Sequence, residues 1–370
     1  MNIPFIDLKI QYQNLKKEID SAIKLVIDNT AFVRGKHVKD FENNFSSMFN
    51  TPVHTVSCAN GTDAIYIALR ALGVKFGDEV ITVCNSWISS SEVITQIGAK
   101  PVFVDIEPKY YNMDVDKIEE KITTKTKAII PVHLFGQPVY NMDKLLDISK
   151  KHNLRIIEDC AQSHFSMSNN RHVGTLGDIG TFSFYPGKNL GAYGDAGAIV
   201  TKDKDLAEKM TMIANHGSLV KHAHKIEGIN SRLDGIQAAI LDVKVNYLKE
   251  WNNKRKKIAD LYRNQLKDIE HKIILPAENK KDLHTYHLFV VQVNDRENLA
   301  DFLRGKGIST GIHYPTPLPY LEAYSYLNHE IGDFPEIDKI SPKILSLPIF
   351  PEMNTDQVTY VCNNIKKFYS

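Results

Sequence analysis

The chain has 370 residues, enough for one large α/β domain and a smaller companion. Its 45 basic and 44 acidic residues leave a net charge of +1, so no global field draws it to nucleic acid or to an acidic membrane surface. Apolar residues make up 43% and charged residues 24%, the balance of an ordinary globule rather than of a disordered chain.

Residues 12–28 read as an amphipathic helix. Asp7, Lys9, Lys16, Lys17, Glu18 and Asp20 interrupt any apolar run there, so no signal peptide is expected. Nothing further on approaches the roughly 20 apolar residues of a membrane helix. Cys58, Cys84, Cys160 and Cys362 are widely spaced and form no CxxC pair, which argues for buried free thiols and a reducing cytoplasm.

From about residue 54 to 201, β-rich runs alternate with helical segments. Strands are expected at 54–58, 80–84, 101–104, 127–132, 154–158, 179–184 and 197–201, and helices at 62–72, 89–97, 141–152 and 204–215. The strands are near-continuous apolar runs, as in a sheet covered on both faces. This pattern predicts an α/β fold with a mostly parallel sheet and sites at the carboxyl ends of its strands. Residues 232–268 read as a long helical stretch broken near Trp251-Asn252-Asn253. Leu233, Ile236, Ala239, Ile240, Val243 and Tyr247 form its apolar face, with Lys and Glu between them. After Pro276, a strand at 285–293, a helix at 296–305, a strand at 308–314 and a helix at 355–368 predict a compact α+β unit. The expected division is a large domain over 1–250 and a small one over 251–370.

The chemistry-bearing residues cluster at the predicted strand ends. Asn60-Gly61-Thr62-Asp63-Ala64 follows a strand and opens a helix. Gly61 permits close approach, and the free N–H groups of a helix start, with the Thr62 hydroxyl, favour a phosphate. An ordinary helix cap explains the same residues. Trp87 follows the strand ending at Cys84, where an aromatic ring can lie on a cofactor ring or simply fill the rim. Asp159 ends the strand Leu154–Glu158 and precedes Cys160-Ala161-Gln162. A buried aspartate there can hold a pyridine nitrogen protonated, or cap a turn.

Lys188 is the most informative residue. It sits in Ser183-Phe184-Tyr185-Pro186-Gly187-Lys188-Asn189-Leu190, a tight loop with few charges. A desolvated lysine has a lowered pKa and serves as nucleophile and proton shuttle. Together with Asp159 it matches what pyridoxal phosphate (PLP) requires: a Schiff base with the aldehyde, and a carboxylate that keeps the ring an electron sink. The Ser183 hydroxyl suits a phosphate oxygen. His313, in Gly311-Ile312-His313-Tyr314-Pro315, can contact a substrate hydroxyl or phosphate, or be structural. His164, His216, His222 and His224 are similarly open, with Lys221, His222 and His224 marking an exposed basic loop. No histidine pair sits at i, i+4 on a helix face with an acid, so no metal site is expected.

In order and spacing these motifs resemble the DegT/DnrJ/EryC1/StrS family of sugar aminotransferases over nearly the whole chain, from Ile3-Pro4-Phe5-Ile6-Asp7-Leu8 to Gly311-Ile312-His313-Tyr314-Pro315. The resemblance implies the type I PLP-enzyme fold and a homodimer with shared active sites. It implies Lys188 as the Schiff-base lysine, Asp159 on the ring nitrogen, Gln162 near the ring oxygen and Trp87 stacked on the ring. Gly61, Thr62 and Ser183 hold the phosphate, and Asn230 reaches it from the other subunit, although Asn230 also suits the start of the following helix. Tyr185 and His313 are candidates for the nucleotide sugar.

Gly191-Ala192-Tyr193-Gly194-Asp195 and Asn230-Ser231-Arg232-Leu233-Asp234 look most like the branch that aminates C3 of dTDP-3-keto-6-deoxyhexoses, with L-glutamate as donor. Ala196, Gly235, Pro319 and Leu321 depart from the pattern, and Gly235, Pro319 and Leu321 lie where the sugar nucleotide is expected. A 4-aminotransferase remains the alternative. The family's dehydratases carry histidine where Lys188 stands, and a regulatory protein has no need of the lysine. A dehydrogenase would need G-x-G-x-x-G after an early strand, which is missing.

Overall fold

The computed structural model describes residues 1–370. Seven strands form the main sheet: β1 (His54–Cys58), β2 (Glu79–Val83), β3 (Lys100–Val104), β4 (Thr126–Ile130), β5 (Arg155–Asp159), β6 (Ile179–Ser183) and β7 (Gly197–Thr201). Their spatial order is β1-β7-β6-β5-β4-β2-β3. Only β7 runs against the rest, pairing antiparallel with β1 and β6 while the other neighbours are parallel. This is the mostly parallel α/β sheet that the alternating pattern predicts.

Helices cover both faces, which is why the strands are apolar throughout. On one face α3 (Gly61–Ala71), α4 (Ser89–Gln96) and α6 (Lys204–Ala214) share a core with Val80, Ala128, Ile157, Ile179 and Ile199. On the other, Phe41 and Phe45 of α2 (Lys36–Ser47) pack with Phe182, Phe184 and Leu241. The α2 helix is absent from the sequence-based expectation. Strands β2 and β4 alternate their side chains between the layers, so Ile81 and Ile129 join a third core with Met142, Leu145 and Ile148 of α5 (Met142–His152).

The long helical stretch breaks earlier than expected. α7 (Gly235–Val245) and α8 (Leu248–Leu266) meet at Asn246-Tyr247, and Trp251-Asn252-Asn253 lies inside α8. Trp251 is buried against Leu15, Ile19 and Ile240, so packing keeps those asparagines helical despite their low propensity. α7 is also covered on more than one side. Ile236, Ile240 and Val243 meet α1 (Leu8–Asp28), while Ala238, Leu241 and Val245 meet the sheet-side core. Lys244, expected between apolar positions on a polar side, is therefore fully buried.

A second, three-stranded antiparallel sheet contains β8 (Ile273–Ile274), β9 (Phe289–Val293) and β10 (Ile344–Leu347). Helix α8, with α9 (Arg296–Gly305) and a last helix at Thr355–Tyr369, buries Tyr262, Leu299, Leu303, Val358 and Val361 against it. Residues 308–314 do not form the expected strand. They make single bridges only, Ile308 to Ile3 and Gly311 to Ser346, and it is β10 that completes the sheet. No helix is long and apolar enough to cross a membrane.

Candidate active site

A cavity of about 550 Å³ opens at the carboxyl ends of the main strands. It is lined by the ends of β5 and β6, the start of α3, and Arg255, His287, His313 and Tyr314, with Phe5 and Ile6 from early in the chain. Of the residues singled out from sequence, Gly61, Thr62, Trp87, Asp159, Gln162, Ser183, Tyr185, Lys188 and His313 line it. Asn230 does not. It is exposed, bridged to Asn215, and it is not the cap of α7, whose N-cap is Asp234.

The anion cradle follows from local chain geometry. Asn60 caps α3, its side chain accepting from Asp63 N–H at 2.8 Å and its carbonyl from Ala64 N–H at 3.1 Å. The Gly61 and Thr62 N–H groups are left without an acceptor, as the first amides of a helix must be. The β6 end lies directly against them: a Cβ on Gly61 would stand 2.6 Å from Ser183 Cβ. Thr62 Oγ1 meets Ser89 Oγ at 2.7 Å, which orients that hydroxyl.

Asp159 is 6% exposed at the end of β5. Burial pushes its carboxyl pKa up, and this outweighs the Ala161 N–H at 3.0 Å and the charge of Lys188. No cationic side chain forms an ion pair with it. Lys188, partly buried on the same cavity wall, has its pKa brought down to about 8 by the protein crowded around its amine, with Asp159 pulling the other way. A buried carboxylate without a cation, a lysine of lowered pKa and a set of free helix-start amides in one cavity fit PLP, with Asp159 able to meet a ring nitrogen, Lys188 an aldehyde, and Gly61, Thr62 and Ser183 a phosphate.

Behind Asp159 lies a buried strut. Glu158 takes His133 Nε2 at 3.0 Å and the N–H groups of Gly174, Leu176 and Gly177 at 2.7–2.9 Å. Burial raises its pKa, but the His133 ring and those amides more than reverse this, and the carboxyl titrates below its ordinary range. His133 Nδ1 accepts Val139 N–H at 3.0 Å, so the ring donates from Nε2. His133, Glu158 and Cys160 could be mistaken for a metal trio, yet both His133 nitrogens and both Glu158 oxygens are already bonded inside the chain.

Several contacts escaped the sequence reading. Asn189, next to Lys188, donates to Asn252 Oδ1 at 2.9 Å and Thr285 O at 3.0 Å, fastening the lysine loop to α8. His287 Nδ1 meets Asn189 Oδ1 at 3.2 Å. Gln162 is held at both ends, accepting Phe135 N–H at 2.8 Å and donating to the Tyr314 hydroxyl at 2.9 Å. One Nε2 hydrogen remains for a ring oxygen. Trp87 stands 5.8 Å from Tyr314 between ring centres and is 60% exposed. Arg255 was the discoverable one: in a run rich in lysine, it alone falls in register with Trp251, Ile258, Ala259 and Tyr262 on the buried side of α8.

Compared with known proteins, residues 13–366 match the DegT/DnrJ/EryC1/StrS aminotransferase family. The chain belongs to that family. It is a sugar aminotransferase, and aminotransferases of this family bind PLP. It is 43% identical to the dTDP-3-amino-3,6-dideoxy-alpha-D-galactopyranose transaminase of Aneurinibacillus thermoaerophilus, over 99% of each chain. It is 42% identical to the pleiotropic regulatory protein of Geobacillus stearothermophilus, over 100% of this chain and 99% of the other. The crystal structure of DesV from S. venezuelae superposes with a TM-score of 0.96 at 37% identity, covering 99% and 98% of the two chains. Other relatives, at 35–38% identity, have names that specify UDP or GDP sugars.

Proposed function

We propose that this enzyme transfers an amino group from L-glutamate to C3 of a dTDP-linked 3-keto-6-deoxyhexose. The observation that carries the reading is Lys188 and Asp159 facing one cavity with the α3 cradle, in a chain 43% identical to a dTDP-3-amino-sugar transaminase. Bound there, PLP supplies an electron sink for a carbanion at the donor's α-carbon. Lys188 would hold the cofactor's aldehyde and, as a free amine, would take the proton from the donor's α-carbon in the first half-reaction and return one to the sugar's reacting carbon in the second. Asp159 stays ionised opposite a cationic ring nitrogen, which relieves the cost of its burial. Gly61, Thr62 and Ser183 hold the phosphate, so the reacting atoms stay in register while the lysine moves. Tyr185, 59% exposed beside the cavity, and His313 are placed to meet the sugar nucleotide.

We further propose a homodimer in the cytoplasm. Trp87 and Tyr185 are large exposed rings beside the cavity, and Asn230 is exposed outside it, an arrangement that suits closure of each site by a second copy. The four buried free thiols suit a reducing compartment. The product would enter deoxysugar synthesis for surface polysaccharide such as O-antigen. The name of the Geobacillus relative invites a regulatory reading, but a lysine of lowered pKa set against a buried acid favours catalysis.

The test is direct. The holoenzyme is incubated with L-glutamate and a panel of 3-keto and 4-keto sugars linked to dTDP, UDP and GDP, and the products are identified by mass and NMR. Amination at C3 of the dTDP sugar is expected; amination at C4 only would overturn the positional assignment. K188A must still take up pyridoxamine phosphate and lose turnover.

A further inference from the structure

Arg255 is 2% exposed and shares the cavity with Lys188. The helical register that brings it inward also strips its water. All three of its hydrogen bonds run through Nη1, to the carbonyls of Ile349 at 2.9 Å, Tyr286 at 3.2 Å and His287 at 3.3 Å. Nε is buried without a partner, Nη2 makes no bond within the chain, and no carboxylate forms an ion pair with the guanidinium. Burial lowers its pKa only to about 10, with Glu352 acting at longer range, so the group is charged at neutral pH.

An uncompensated cation inside a cavity is costly, and carbonyl dipoles relieve only part of that cost. The arrangement of the bonds is informative. With Nη1 occupied, the free edge is Nε with Nη2, two parallel donors that match the two oxygens of a carboxylate. The cofactor's own phosphate has a separate cradle, at α3 and Ser183. The charges of Lys188 and Arg255 both act on the buried imidazoles of His164 and His287. His287 is driven neutral by burial and by these charges, so it adds no competing cation. The donor's α-carboxylate lies one carbon from the amine that must reach the lysine's position, whereas a sugar nucleotide's diphosphate lies several bonds from the reacting carbon.

We propose that Arg255 is the anchor for a carboxylate of the amino donor, its Nε–Nη2 edge gripping the acid while Nη1 pins the guanidinium to the chain. This rests on the aminotransferase reading and names the residue that selects an amino acid as donor.

The holoenzyme and its R255K and R255Q variants separate the two. The first half-reaction is followed as the change in the PLP absorption band on adding L-glutamate. The second uses pyridoxamine-loaded protein and the keto sugar nucleotide. R255Q is expected to lose roughly ten- to hundredfold in kcat/KM for glutamate, with the second half-reaction unchanged and R255K intermediate. Glutarate, an amine-free dicarboxylate, should bind wild-type holoenzyme in calorimetry and bind R255Q correspondingly less well. Wild-type enzyme should also prefer glutamate to either 4-aminobutyrate or L-2-aminobutyrate, each lacking one carboxylate. R255Q should lose the preference against one of them, an observation that needs no comparison of absolute rates. Unchanged glutamate kinetics in R255Q sinks the anchor alone. So does an equal loss in both half-reactions, which marks a structural peg, or a loss confined to the keto sugar, which marks a diphosphate site. A wild-type holoenzyme inert to every amino donor sinks the aminotransferase reading itself.

Discussion

The contact between Gly61 and Ser183 gives a quantitative handle on the phosphate cradle. In G61A the new Cβ would lie 2.6 Å from Ser183 Cβ and 3.2 Å from its Cα and Oγ. Carbon atoms pack at about 3.5–4.0 Å, so a gap of roughly 1 Å must open. Neither side yields easily, because one is the first turn of α3 and the other the end of a central strand. Overpacking of this kind costs about 1–3 kcal/mol. With an unfolding entropy near 2.1 cal/mol/K per residue, that becomes a fall in Tm of about 1–4 °C for a chain of this length. The same displacement pulls two amides and a hydroxyl off the phosphate, and pyridoxamine phosphate should bind roughly ten- to hundredfold more weakly. Scanning calorimetry and fluorescence titration measure the two effects. S183G removes the opposing Cβ, so G61A/S183G should regain much of the stability lost in G61A, a coupling of about 0.5–3 kcal/mol of favourable sign. A G61A protein with wild-type Tm and affinity, or a double variant no better than the sum of its parts, refutes the cradle as described.

Other consequences are more briefly stated. Free Lys188, with its pKa near 8, must be neutral to attack an aldehyde, so apoprotein should capture PLP faster as pH rises through about 8 and reach a plateau above it, as stopped-flow absorbance will show. Because Glu158 titrates below its usual range, it stabilises the fold above that range and stops doing so as pH falls through its lowered value. E158Q should cost about 1.5–3 kcal/mol at neutral pH, and chemical denaturation should show the gap from wild type narrowing in acid. Lys244 donates to Gly191 O at 2.7 Å beneath the lysine loop, and burial lowers its pKa to about 7. The unfolded chain therefore holds one more proton above that pH, and wild-type stability should rise with pH from about 7 towards the ordinary lysine range. K244M holoenzyme should lack that slope; a parallel pH profile would show that the buried amine is not the source.

The sequence by itself determined the α/β sheet, because strands covered on both faces must be apolar along their whole length, and a short local pattern records that. It also marked Lys188, Asp159 and the Gly61-Thr62 turn, whose chemistry depends on residues adjacent in the chain. The positions of the helix break at Asn246-Tyr247 and of the missing strand at 308–314 were decided elsewhere. Trp251 stays helical because Leu15 and Ile19 lie over it, and the edge that residues 308–314 might have filled belongs to β10. Only the tertiary structure brought Arg255 and His287 into one cavity with Lys188, tied Asn189 to α8, and buried Lys244. Helical register marks Arg255 as inward, but what it meets there, and that Lys244 is buried at all, depend on the packing around them. The free energy of such a group is set by neighbours tens to hundreds of residues away, and no local pattern encodes them.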